Sequence, residues 1–210
     1  MSLAKKLWVE NDDLATKCLK NPFVQGILSG DLDPDKFSYF VSQDAFFLKA
    51  FARAYVIAGA KARSWEDFVK LYGLAGGVFE EMMLHEKYSK TLGINITEVE
   101  PAVATQRYVD FVMATAWGHD TGLIIVALVP CMRLYAWLGK TLAEQQKEKN
   151  IYSDWISTYA ADEIEEIACE LEALIDKYAN PQEPQIEAAY RYAMICELDF
   201  FQAAFDFKLE

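Results

Sequence analysis

The chain has 210 residues, 53% of them hydrophobic, with 13 Phe, 11 Tyr and 5 Trp, which is enough apolar material for one large domain spanning 1–210. Its 32 acidic residues against 20 basic ones leave a net charge of −12, which repels DNA, RNA and anionic lipid, and no basic cluster offsets it. The longest apolar run, Gly122–Cys131, covers about ten residues and is too short for a membrane helix. The opening MSLAKKLWVEN has two lysines but no apolar signal segment behind them, so a cytoplasmic protein is expected.

Ser2–Lys20 places Leu3, Leu7, Trp8, Leu14, Ala15, Cys18 and Leu19 at helical spacing, with Pro22 behind as a stop. Asn21–Gly30 reads as a short helical segment. Asp33–Pro34 is a start signal, an acceptor at the N-cap followed by proline at the first helical position. Pro34–Ala60 follows as one long helix, aromatic through Phe37, Tyr39, Phe40, Phe46, Phe47 and Phe51. Ser64-Trp-Glu-Asp forms a near capping box, Asp67 returning to Ser64, for a helix running to Leu92. Its Gly73, Gly76 and Gly77 weaken the case for a single rod and suggest close helix packing. Gly93–Pro101 is a connection, and a further helix runs through Tyr108 to about Trp117. Gly118–Gly122 turns the chain into the most apolar stretch.

That stretch, His119–Gly139 (HDTGLIIVALVPCMRLYAWLG), is apolar almost all round and belongs in the middle of a helical bundle. Pro130 has no N–H to give the carbonyl of Val126, so a bend is expected there. Cys131 sits at the bend with Tyr135 one turn on, both pointing inward. Residues 144–150 (EQQKEKN) are charged and solvated, and Ile151–Ala160 is a short aromatic helix. Asp162–Tyr178 is amphipathic, Asn180–Pro184 is a loop, and Gln185–Phe207 closes the chain. With no alternating strand pattern and no repeat, the fold class is all-α, with seven to nine helices.

Several polar residues lie in apolar helix faces. Asp44 in YFVSQDAFFLKAF has Phe37, Phe40, Phe47 and Phe51 around it. Unless it faces water at the edge of the stripe, it costs several kcal/mol to dehydrate unpaired. Glu197 in YAMICELDFFQAAF poses the same problem. Tyr108 and Tyr159 are weaker signals, because tyrosine is ordinary core material with one polar tip. Cys131 is either a small buried hydrophobe or a nucleophile, and the second role needs a proton acceptor nearby. Together these residues describe an enclosed aromatic chamber holding a thiol, two carboxylates and several phenols. Such a chamber suits a flat heteroaromatic ligand whose amidine-like N–C–NH2 edge pairs with carboxylates. The four cysteines, 18, 131, 169 and 196, show no ligand-like spacing; Cys18, Cys169 and Cys196 read as core. No metal is expected: the histidines are His85 and His119, and His85 lacks the partner residues of a zinc or diiron motif.

The set Asp44, Cys131, Tyr135, Tyr159 and Glu197 occurs with YFVSQDAFFLKAFARAY, EEMMLHEKYSKTLGI, PCMRLYAWLG, YSDWISTYA and CELDFFQAAF in that order. With them, nearly the whole chain resembles the TenA family, also called thiaminase II or aminopyrimidine aminohydrolase. The resemblance implies an all-helical TenA/haem-oxygenase-like fold, a homotetramer, and no metal or organic cofactor. It implies hydrolysis of the C–N bond at the aminomethyl carbon of a 4-amino-2-methylpyrimidine to hydroxymethylpyrimidine. The leaving group is ammonia when aminomethylpyrimidine is salvaged, or the thiazole when thiamin is cleaved. Carried over, Cys131 resembles the nucleophile that adds to the ring, and Glu197 the acid/base at the ring nitrogen. Asp44 resembles the carboxylate on the amino edge, and Tyr108, Tyr135 and Tyr159 the phenols orienting ring, thiol and water. Phe47 departs from the family, which usually has tyrosine there; the lost hydroxyl implies a slower or more selective enzyme. Two other readings stand beside this one. The first is a pyrimidine-binding or regulatory protein of the same fold that has lost turnover; the second is a helical oxygenase or haem-handling protein, which the two histidines disfavour.

Overall fold

The computed structural model describes residues 1–92 and 99–208, and within 79–92 it describes the helix but not the side chains. Among the described residues there are ten helices and no strand, so the chain is all-α as expected. They are α1 (Leu3–Glu10), α2 (Asp12–Lys20), α3 (Pro22–Ser29), α4 (Pro34–Ala60), α5 (Trp65–Leu92), α6 (Val103–Gly118), α7 (Thr121–Gln145), α8 (Ser153–Ala160), α9 (Asp162–Tyr178) and α10 (Pro184–Asp206).

Five of the ten starts carry a side-chain cap, from Ser2, Asn21, Asp33, Ser64 and Asp120. The oxygens of Asn21, Asp33 and Asp120 accept from the amides of Phe23, Asp35 and Leu123 at 2.9–3.0 Å. Ser64 accepts from the Asp67 amide at 3.2 Å and donates to the Asp67 carboxylate at 2.5 Å, closing the short capping box. The expected single helix over Ser2–Lys20 is two, broken at Asn11. That side chain is buried and donates to the Leu7 carbonyl at 2.8 Å, a local bond that competes with helix continuation. The organising helix begins at Thr121 rather than His119, because Asp120 caps it, and it outruns Gly139 to end at Gln145. Part of the stretch read as charged surface is therefore its last turn.

α7 holds the assembly together. It packs on α4, α6, α8, α9 and α10, and it continues through Pro130. Ile124 to Val129 are all buried, as an all-round apolar helix requires. At this length α7 is apolar enough to cross a membrane on composition alone, which corrects the reading from the shorter run. In this fold 83% of its most apolar window is buried within the bundle. Close approach is enabled by Gly139, where a Cβ would stand 2.2 Å from the Tyr159 carbonyl carbon in α8. The glycines of α5 do not serve this purpose among the described residues, where a Cβ at Gly73, Gly76 or Gly77 would meet nothing within 4 Å. The connection expected at 93–101 falls mostly outside the described residues, as does the His85 side chain.

Candidate active site

Glu197 is the centre of the site. It is 2% exposed on α10, with the helix face around it built from Ala193, Phe200 and Phe201. The Tyr108 hydroxyl, from α6, donates to Glu197 Oε1 at 2.8 Å. The Cys131 thiol, from α7, hydrogen-bonds the same carboxyl. Burial pushes this acid up and the two hydrogen bonds pull it back, while the Asp44 carboxylate adds a further upward push; it settles at about 7. Glu197 is thus poised to gain or lose a proton at neutral pH.

The other expected residues converge on this acid. Asp44, buried on α4, is close enough to raise both Glu197 and Tyr135 electrostatically. Tyr135 stands well above its ordinary value through burial, then through the charges of Glu197 and Asp44, so it stays a neutral phenol. Its ring meets Tyr159 of α8 edge-on at 4.9 Å. The Phe47 ring lies 4.6 Å from that of Tyr108. All seven residues named from the sequence, Asp44, Phe47, Tyr108, Cys131, Tyr135, Tyr159 and Glu197, are brought together by five helices. Cys131 differs from the expectation in being only partly buried, whereas the other six residues are buried.

Sequence reading passed over four contributors. Trp155 packs on Tyr159 at 4.8 Å and on Tyr135 at 6.0 Å; its position one turn before Tyr159 was the available signal. Phe201 stacks on Tyr135 at 5.7 Å. Gln43 is buried next to Asp44. Its oxygen accepts from the Ala102 amide at 2.9 Å and the Thr105 hydroxyl at 2.6 Å, capping the start of α6 from a neighbouring helix. Arg133 is paired with Glu165 and, through two nitrogens, with Glu172, which ties α7 to α9 just beyond Cys131. Cys169, expected in the core, is exposed beside Glu165 in this cluster, whereas Cys18 and Cys196 are buried as expected.

One cleft beside the site helices lies away from these residues. It measures about 770 Å³ and runs along the outer side of α6, lined by Val103, Arg107, Phe111 and Tyr192 among others, and it includes none of the seven residues. Nor do the described residues contain a group of three His, Cys, Asp or Glu side chains placed to hold a metal ion.

Comparison with known proteins decides what kind of chain this is. A model of the TENA/THI-4/PQQC family matches residues 10–206. The chain belongs to that family. Among TENA/THI-4/PQQC relatives, an aminopyrimidine aminohydrolase from Halalkalibacterium halodurans is 29% identical, covering 100% of this chain and 98% of its own length. The mitochondrial bifunctional TH2 protein of Arabidopsis thaliana is 31% identical over 96% of this chain. The match spans only 37% of that longer protein. A TenA homologue from P. horikoshii OT3 superposes with a TM-score of 0.90 at 25% identity, covering 98% of this chain and 99% of that one. A domain with a heme oxygenase-like fold from Shewanella denitrificans OS217 follows with a TM-score of 0.74 at 11% identity. It covers 96% of this chain and 90% of its own, and that likeness shows the fold alone. The TenA/haem-oxygenase-like architecture expected from the sequence is therefore the one adopted.

Proposed function

We propose that this chain is an aminopyrimidine aminohydrolase of thiamin salvage, hydrolysing aminomethylpyrimidine to hydroxymethylpyrimidine and ammonia, with thiamin as a second substrate. The observation that carries the reading is the buried Glu197, held near neutrality and hydrogen-bonded to both the Cys131 thiol and the Tyr108 hydroxyl. The family and its aminohydrolase relative of matching length support it.

In the proposed reaction Asp44 pairs with the amino edge of the pyrimidine. Glu197 takes the thiol proton as the Cys131 sulfur bonds to a ring carbon, and it passes that proton to a ring nitrogen. The ring, now electron-rich, expels neutral ammonia from the protonated aminomethyl group, the C–N electron pair leaving with nitrogen. Water adds to that methylene carbon and gives its surplus proton to the ammonia; Glu197 recovers the ring proton and hands it to the sulfur as the C–S bond breaks, which restores the aromatic ring and the thiol. Tyr108 and Tyr135 stay neutral phenols and, with Tyr159, orient the ring, the sulfur and the water. The net charge of −12 suits a small, weakly basic ligand and not nucleic acid. A cytoplasmic homotetramer whose subunits are single units spanning 1–210 completes the proposal.

Incubation of the protein with aminomethylpyrimidine should release hydroxymethylpyrimidine and ammonia in equal amounts. Release no faster than from Cys131→Ala rejects the hydrolase. Tight pyrimidine binding without product would instead favour a binding protein, the reading that Phe47 motivates.

A further inference from the structure

α4 and α6 lie side by side and run in the same direction. Gln43 reaches the start of α6, the Phe47 ring packs on Tyr108 at 4.6 Å, and Lys61 closes on the far end. There the Lys61 ammonium donates to the carbonyls of Ala116, Trp117 and His119 at 2.6–3.2 Å, taking up acceptors at the end of the helix. At the near end Gln43, 4% exposed, uses both sides of its amide. Its nitrogen donates to the Glu100 carbonyl at 3.1 Å, and its oxygen accepts from the Ala102 amide at 2.9 Å and the Thr105 hydroxyl at 2.6 Å. Thr105 is itself buried, so its hydroxyl is strongly held to that oxygen.

Thr105 and Tyr108 are three residues apart and share a face of α6, as Gln43 and Phe47, four apart, share a face of α4. The bridge from Gln43 to Thr105 therefore stands one turn before the bond from Tyr108 to Glu197. A group about 6 Å from a helix axis moves about 1 Å for each 10° of rotation, enough to weaken a hydrogen bond steeply. Phe47 gives Tyr108 a non-directional apolar contact, which does not resist such a rotation. A buried, directional bond such as that between Gln43 and Thr105 does.

We propose that Gln43 and Thr105 are positioning residues of the site: their bridge sets the rotation of α6 so that the Tyr108 hydroxyl meets the Glu197 carboxyl. The catalytic consequence rests on the aminohydrolase reading above; the effect on Glu197 does not. Among the described residues, the titratable groups that face this acid are Asp44 of α4, Tyr108 of α6, Cys131 and Tyr135 of α7 and Cys18 of α2, with Cys196 beside it on α10. α3, which also packs on α10, carries no titratable residue. Of these groups Tyr108 is the one that α6 carries, so a change at Thr105 reaches Glu197 through that phenol.

The test compares the full chain with Thr105→Val, which keeps the branched shape without the hydroxyl, and Thr105→Ser, which keeps the hydroxyl; far-UV circular dichroism verifies folding. The Tyr108 hydrogen bond pulls Glu197 down, so weakening it in Thr105→Val should move the inflection in kcat/KM upward from about 7. The shift should be about half a pH unit or more. Thr105→Ser should keep the parent profile, and Gln43→Met, which removes the acceptor from the α4 side, should shift it as Thr105→Val does. A second readout needs no turnover. Because Glu197 is raised in the folded chain, its contribution to stability is lost as pH rises through the folded value, and a higher folded value deepens that loss. The drop in melting temperature caused by Thr105→Val should thus be about 2 °C larger at pH 8.5 than at pH 5.5, and equal at both in a Glu197→Gln background. Tyr108→Phe should reproduce the upward shift, and adding Thr105→Val to it should move nothing further. A folded Thr105→Val protein with the parent inflection, or with the same melting drop at both pH values, overturns the proposal. So does a Thr105→Val shift that persists in the Tyr108→Phe background. A parent chain without turnover rejects the hydrolase reading, and the melting comparison then decides the role of the bridge.

Discussion

Glu197 serves two opposed ends. An acid that is buried and raised to about 7 suits proton transfer, but it works against the folded state in alkali. The unfolded chain releases this proton near the ordinary glutamate value and the folded chain releases it near 7. The contribution is therefore complete below the lower value and declines as pH rises through the higher one. Glu197→Gln keeps an oxygen for Tyr108 and removes the ionisation. It should raise stability at pH 8.5 by about 1–3 kcal/mol, read as a higher melting temperature, with little change at pH 4. The same variant should lose at least about 100-fold in turnover, together with the inflection near 7 in the pH dependence of kcat/KM. Phe47 allows the complementary experiment. Its ring lies against Tyr108, whose hydroxyl donates to Glu197, and it has no polar tip to offer. Phe47→Tyr should raise kcat/KM by roughly tenfold if the added hydroxyl joins that hydrogen-bond set in the transition state. An unchanged rate would mean that the site has adapted to the apolar ring.

At the scale of elements, α7 is held from both sides of the Cys131 turn. Arg133, pointing away from the site, is fixed by Glu165 and Glu172 of α9. Gly139 lets the backbone of α8 lie directly against α7. Because Tyr159 is the α8 residue at that contact, backbone proximity and placement of the phenol are one feature. Gly139→Ala would put a methyl inside backbone atoms that cannot rotate away. It should cost about 2–3 kcal/mol in denaturant unfolding and reduce turnover by displacing Tyr159, while CD retains the helical content. α6 is positioned differently. Its own N-cap residue, Ala102, has no side chain to cap with, and Gln43 of α4 supplies the missing acceptor. Two elements that carry site residues thereby share one buried amide.

For the molecule as a whole, a polar latch joins the α4–α5 turn to the end of α9. Asp67 is 3% exposed and accepts from Ser64 at 2.5 Å, Tyr178 at 2.6 Å and Lys177 at 2.7 Å. Burial pushes this carboxyl up, but the three hydrogen bonds outweigh it and hold it at about 2. A depressed acid contributes stability that is present above the ordinary aspartate value, near pH 4, and is lost as pH falls through about 2. Asp67→Asn should therefore lower stability at pH 7 by about 1–3 kcal/mol, and the gap from the parent should close on acidification toward pH 2. Acid unfolding followed by far-UV CD would measure both. Arg63 completes the latch, its amide donating to the Tyr178 hydroxyl at 3.1 Å and its guanidinium lying 4.7 Å over the Tyr178 ring.

The sequence by itself determined the all-α class and most helix starts, and it proposed the seven residues of the candidate site, Phe47 through the family resemblance alone. Apolar periodicity, N-cap side chains and carboxylates stranded among phenylalanines are local properties of the chain. Only the tertiary structure decided that Glu197 touches both a thiol and a phenol, that Gln43 caps a helix other than its own, and that Arg133 finds two glutamates. These contacts join residues far apart in the chain and depend on how helices rotate about their axes. It also separated the glycines: those of α5 look the same in sequence as Gly139, yet among the described residues nothing lies within 4 Å of a side chain at Gly73, Gly76 or Gly77, while Gly139 meets a neighbouring backbone. A missing side chain shows its purpose only when what lies opposite it is known.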